Sequence, residues 1–156
     1  MGGNGSYDKS LGGVPKKKRT HLETGYTVMG HKVLLQKGLE NQTKNIINAN
    51  SPDSIYLIAK LDADSTLTIW DINVNKGNKI KMDINLKFDS NGNLIPFNEK
   101  ESASHAHSWI EHPDGNMGRK PSTNGENTHL PIPNEFSSLN DAIVQFNKQK
   151  HKYPKK

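Results

Sequence analysis

The spacing of hydrophobic positions changes several times along this chain. In "HKVLLQKGLENQTKNIINAN" (His31 to Asn50) the apolar residues Val33, Leu34, Leu35, Leu39, Ile46 and Ile47 suit one or two short amphipathic helices, with Gly38 as a break. Pro52 in "NSPD" ends the segment, because proline disfavours a helical residue before it. The period then shortens. "SIYLIAKL" (Ser54 to Leu61) and "STLTIWDINV" (Ser65 to Val74) are rich in strand formers. "KIKMDINLKFD" (Lys79 to Asp89) alternates, with Ile80, Met82, Ile84, Leu86 and Phe88 on one face, which predicts a half-buried strand with one wet side. "DAD", "NKGN" and "SNGN" join these runs as hairpin turns. "LIPF" (Leu94 to Phe97) reads as a fourth, short strand, placed at an edge by Pro96. In the second strand Leu67 and Ile69 share one phase, while Trp70, Ile72 and Val74 share the other. A bulge, or cover on both sides, accounts for that slip.

From Asn98 to Asn134 periodicity fades into a long loop. Trp109, Ile110, Met117, Leu130 and Ile132 would anchor it against the sheet, which favours an ordered, functional loop. "SSLNDAIVQFNKQK" (Ser137 to Lys150) restores a helical face of Leu139, Ala142, Ile143 and Phe146, with Ser138 as the expected cap and Asp141 three residues on. The expected fold is α+β: an N-terminal helix or helices, a four-stranded antiparallel meander, a long ordered loop and a C-terminal helix. The expected organisation is a flexible basic linker over residues 1–21, one catalytic or binding domain over 22–150, and a basic tail over 151–156.

Charge adds a possible partner. The net charge is +5, but Met1 to His21 holds five Lys/Arg against one acid, and Gln145 to Lys156 holds five lysines and no acid. The positive charge sits at the two ends, which suits a polyanion such as RNA, unless the ends are merely solvated. Lys16, Lys17, Lys18 and Arg19 in "PKKKR" are candidate phosphate contacts, and the run also has the look of a nuclear import signal. With no cysteine, disulfides and thiolate metal sites are excluded. No segment approaches the roughly 20 apolar residues of a membrane span, so no membrane insertion is expected. The Gly/Ser/Asn-rich lead lacks a signal core and resembles a cloning remnant or a junction to an upstream protein. The expectation is therefore delivery as part of a larger secreted or virion protein, with action in the cytoplasm of a target cell.

Candidate chemistry concentrates in the long loop. Four of the seven histidines lie between His105 and His129, amid glycine, proline, serine and asparagine. In "SHAHSW", His105 and His107 project together if the backbone is extended. "GNMGRKP" supplies Arg119 and Lys120, and "ENTH" supplies Thr128 and His129. Two chemistries fit. Two histidines act as general base and acid on an RNA 2′-hydroxyl and a leaving 5′-oxygen, with Arg119 or Lys120 stabilising the phosphate and no cofactor required. Alternatively His105, His107 and His129 hold a metal, with Glu111, His112 or Asp114 as further ligand or base. Plainer roles also fit: His112 as a turn residue, His107 as a hydrogen-bonded core residue, Arg119 as a salt-bridge partner, Thr128 as a turn hydroxyl, His21 and His31 as ordinary positions, and His151 as part of the tail.

The Gly-rich lead, the run from Ser54 to Phe97, "SHAHSW", "GRKPSTNGENTH" and the closing "PIPNEF…DAIVQFNKQ" together resemble the C-terminal toxin domains of bacterial polymorphic toxins and phage head-morphogenesis proteins. Among these, metal-independent ribonucleases of the barnase, EndoU, colicin and RelE type place helices before an antiparallel sheet. The resemblance implies an interbacterial or phage-associated toxin, with His105, His107, Arg119, Thr128 and His129 matching the active-site residue types. It also implies an acidic immunity protein as partner. A catalytic set on a late loop departs from those families, which use strands. The competing expectation is a non-enzymatic phage or mobile-element protein that binds nucleic acid or inhibits a host enzyme. A second alternative is a His-ligated, metal-dependent nuclease.

Overall fold

A computed structural model describes residues 21–36, 55–76, 79–98, 103–115, 117–119 and 129–153. It is mostly sheet. The strands are β1 (His21–Val28), β2 (His31–Gln36), β3 (Ile55–Leu61), β4 (Leu67–Lys76), β5 (Lys79–Asn85), β6 (His105–Glu111) and the three-residue β7 (Met117–Arg119). They lie side by side in chain order. All neighbours are antiparallel except β2 and β3, so six main strands form a mixed sheet that β7 extends. Among the described residues one helix, α1 (Ser137–Lys148), follows a 3₁₀ turn at Asn134–Phe136 and packs on one face.

This corrects the expected α+β meander. His31–Gln36 is a strand, not the start of a helix; the rest of the predicted helical segment lies outside the described residues. Val33 and Leu35 enter the core beneath α1, while Leu34 enters a smaller cluster on the opposite face. A short apolar run buried on both faces has no period from which to choose between helix and strand. The hairpin before it turns on Met29 (φ 51°) and Gly30 (φ 82°). Both central residues are left-handed, as a tight two-residue hairpin requires.

The fourth strand of the central meander is β6, within the predicted loop, rather than Leu94–Phe97. Leu94 makes only an isolated bridge to Phe88. The predicted wet face of β5 is exposed at Lys81, but Asp83 and Asn85 are buried, on the face opposite Ile84. The slip in β4 is a bulge on a strand covered from both sides. Between Asp71 and Ile69 the register skips Trp70, which packs with Leu34, Tyr56 and Ile58. The bulge lets Ile69 and Ile72 face the same core despite their odd spacing.

In α1, Leu139, Ile143 and Phe146 are buried against Leu67, Ile69, Ile72 and Ile84. The helix starts at Ser137 with no side-chain cap, so Ser138 lies in its first turn instead of capping it. The far end of α1 also supports the sheet. The first half of β4 runs past the end of β5, and chain after the helix covers its edge. Leu67 N–H donates to the His151 carbonyl (2.8 Å), and Tyr153 N–H to the Ser65 carbonyl (3.0 Å). His151, read as a tail residue, stacks on Phe146 with centroids 4.2 Å apart. Asn147 acts as a stand-in strand: Oδ1 accepts from Ile69 N–H (2.9 Å) and Nδ2 donates to the Ile69 carbonyl (3.1 Å). Replacing Asn147 with alanine strands both backbone groups and is expected to cost about 1–3 kcal/mol. For a domain of this size that lowers the thermal midpoint by roughly 2–4 °C per kcal/mol, readable in a melt followed by circular dichroism.

Candidate functional site

The histidine-rich stretch is strand, which is why its imidazoles converge. β6 pairs with β5 so that His105 opposes Asn85, Ala106 opposes Ile84 and His107 opposes Asp83. Alternation sends Ala106 into the core under α1 and turns His105 and His107 to the opposite face. Ala106 also exchanges backbone hydrogen bonds with Leu130, its N–H donating at 2.8 Å and its carbonyl accepting at 3.0 Å. That bridge brings the neighbouring His129 against the pair. The rings of His105 and His129 stack at 4.2 Å and 14°; His107 stands edge-on to both, at 4.8 and 4.9 Å. One ligand nitrogen from each ring lies within 4.8 Å of the other two. His105 is fully buried and His107 is 6% exposed, while His129 is half-buried and gives the cluster its outward side.

His105 is held by its own backbone. Its Nδ1 lies 2.7 Å from the Ala103 carbonyl, an acceptor only. Nδ1 must therefore carry the proton, and in the neutral ring Nε2 carries the lone pair. The expectation that these imidazoles ride on a loop is corrected: two of the three are built into a buried strand.

Residues passed over as a wet strand face complete the surroundings. "DIN" occurs twice, at Asp71–Asn73 and Asp83–Asn85. In the antiparallel register Asp71 meets Asn85 and Asn73 meets Asp83. All four are buried on the histidine side of the sheet. Asn85 Nδ2 donates to Asp71 Oδ1 (2.8 Å) and to Asp83 Oδ2 (3.0 Å). The Trp109 indole N–H donates to Asp83 Oδ1 at 2.6 Å. The repeated tripeptide in adjacent strands was the available signal, since equal residues in an antiparallel pair place each Asp opposite an Asn.

The other candidates fall into three groups. Arg119 lies in β7, where its backbone pairs with Trp109, two residues past His107 in β6. Lys120, Thr128 and Lys16, Lys17, Lys18 and Arg19 lie outside the described residues. Glu111, proposed as a further ligand, is exposed and four residues beyond His107, about 13 Å along the strand. His112 and Asp114 follow it in a turn closed by Gly115 N–H to the His112 carbonyl (2.8 Å), farther still. None of these joins the cluster. His31 opens β2 beside a cavity of about 280 Å³ on the α1 side, and burial lowers its pKa. Lys32 is paired with Glu23 at 2.6 Å. A second cavity of about 400 Å³, between α1 and the turn at Asp89–Gly92, is likewise not lined by the cluster. Among the described residues no helix is long and apolar enough to cross a membrane. Comparison with protein-family models, curated proteins and solved structures finds no match for this chain.

Proposed function

We propose that the protein is a nuclease domain, acting on RNA by proton transfer among the three imidazoles. The observation that supports this best is the convergence of His105, His107 and His129 on one sheet face, with His129 at the outward side. RNA suits such a site because its own 2′-hydroxyl is the nucleophile, so imidazoles working near neutral pH suffice. One imidazole takes the 2′-hydroxyl proton as the oxygen bonds to phosphorus. A protonated imidazole gives its proton to the 5′-oxygen as the P–O5′ bond breaks. The products are a 2′,3′-cyclic phosphate and a 5′-hydroxyl.

His107 and His129 are the proposed proton-transfer pair, since His129 is half-buried and His107 keeps 6% exposure, whereas His105 is fully buried. His105, stacked against His129 and tethered to Ala103, is the proposed positioning residue. Arg119, whose backbone pairs with Trp109 two residues past His107, is the proposed source of positive charge for the phosphorane. A host making such an enzyme must block it, and an acidic protein drawn to the chain's net charge of +5 is the proposed partner.

The test is incubation of the full chain with a defined RNA and the matching DNA in EDTA. Cleavage of RNA alone, leaving 2′,3′-cyclic phosphate ends, is the expected result. If RNA survives at high protein concentration and the chain expresses harmlessly in bacteria, the enzyme reading gives way to a nucleic-acid-binding or inhibitor protein.

A further inference from the structure

We propose that the three imidazoles also form a binding site for one divalent transition-metal ion of the zinc class, and that the bound ion switches off the proton transfer proposed above. The metal site stands on the geometry of the cluster; only the off state rests on the ribonuclease reading. A zinc ion holds imidazole nitrogens at about 2.0–2.1 Å, which puts two tetrahedral ligands about 3.4 Å apart. The nitrogens here lie within 4.8 Å of one another. Rotation of the rings supplies the remaining closure, and His129, half-buried in irregular chain, has the most freedom to make it.

Three features favour a cation at this point. The bond from His105 Nδ1–H to the Ala103 carbonyl fixes the ring and offers its Nε2 lone pair, the usual outer support of a histidine ligand. His105 and His107 share a strand that pairs with β5 on one side, while Ala106 between them bridges to Leu130 on the other, so their spacing is held from both sides. Asp71 and Asp83 bring carboxylates into the same buried layer, Asp83 directly opposite His107. Directly opposed residues have Cβ atoms about 4.5–5.5 Å apart, close enough for that negative charge to favour a dication over three neutral rings. Nitrogen ligands select zinc, cobalt, nickel or copper over magnesium and calcium, which require oxygen. Once the ion engages the imidazole lone pairs, no ring is left to accept the 2′-hydroxyl proton.

The experiment uses the full chain, stripped with EDTA and freed of chelator. Zinc is titrated against a chromophoric chelator, and cobalt(II) serves as a spectroscopic probe of coordination. One equivalent should bind, and His129→Ala and His107→Gln should each weaken binding at least tenfold. RNA cleavage by the stripped protein should fall at least tenfold with one equivalent of zinc and recover on renewed EDTA. No zinc binding, or equal binding by wild type and both variants, overturns the site. A stripped protein that is inactive and regains activity with zinc overturns the off switch, because the ion is then catalytic. RNA left intact in both states overturns the ribonuclease reading together with the off switch, whereas the zinc titration, which uses no RNA, decides the site by itself.

Discussion

Replacing His129 with alanine is expected to slow RNA cleavage by about 10²–10⁴-fold, the usual contribution of a positioned acid or base. The same change should disturb the fold only modestly. His129 is half-buried in irregular chain, and its loss removes a stacked contact with His105 and an edge contact with His107. Such contacts are worth about 0.5–1.5 kcal/mol each, a few degrees of thermal midpoint at this chain length. His105→Ala should behave differently. That ring is fully buried in β6 and its Nδ1–H satisfies the Ala103 carbonyl, so its removal leaves a cavity and an orphaned acceptor. A cost of about 3–5 kcal/mol follows from losing an aromatic side chain in a packed interior. Activity and stability thus separate at one histidine and fall together at the other. A His129→Ala protein that cleaves RNA at the wild-type rate would refute the proposed catalytic role of the cluster.

The contrast between these histidines shows what local sequence encodes. The strand period alone puts His105 and His107 on one side, and the clustering of histidines marks the region. What brings His129 to them is the bridge between Ala106 and Leu130, a long-range pairing without a local signature. The strand beneath was obscured for a physical reason. In "HAHSWIE" the inward residue toward α1 is Ala106, and the buried opposite face is made of imidazole and indole, so hydropathy reports a polar loop. β5 misleads in the same direction. Its aliphatic face is plain from the alternation, but Asp83 and Asn85 look like a wet face because composition cannot show that they satisfy one another and Asp71. β3, β4 and β5 and the periodicity of α1 were legible because each buries a long aliphatic set. β2 was not, since Val33, Leu34 and Leu35 divide between two cores within a three-residue run.

Asp83→Ala is expected to be among the most destabilising single changes on the histidine side of the sheet, at about 2–5 kcal/mol. Asp83 is fully buried, and its two oxygens accept from different strands, Oδ1 from the Trp109 indole in β6 and Oδ2 from the Asn85 amide in its own strand β5. Deleting the carboxylate leaves both donors without that acceptor, and each stranded buried group costs about 1–3 kcal/mol. Trp109→Phe keeps the ring and removes only the N–H, so it should cost less, about 1–3 kcal/mol. The two changes share one bond, so their effects should not add. A double-mutant cycle by urea denaturation should return a coupling of about 0.5–3 kcal/mol. Asp83→Asn keeps the shape, but it loses the charge opposite His107 and turns one of the two acceptor oxygens into an amide facing a donor, so it too should destabilise. If Asp83→Ala leaves the midpoint unchanged, or the cycle gives no coupling, the carboxylate is not the tie that holds β6 and its imidazoles against β5.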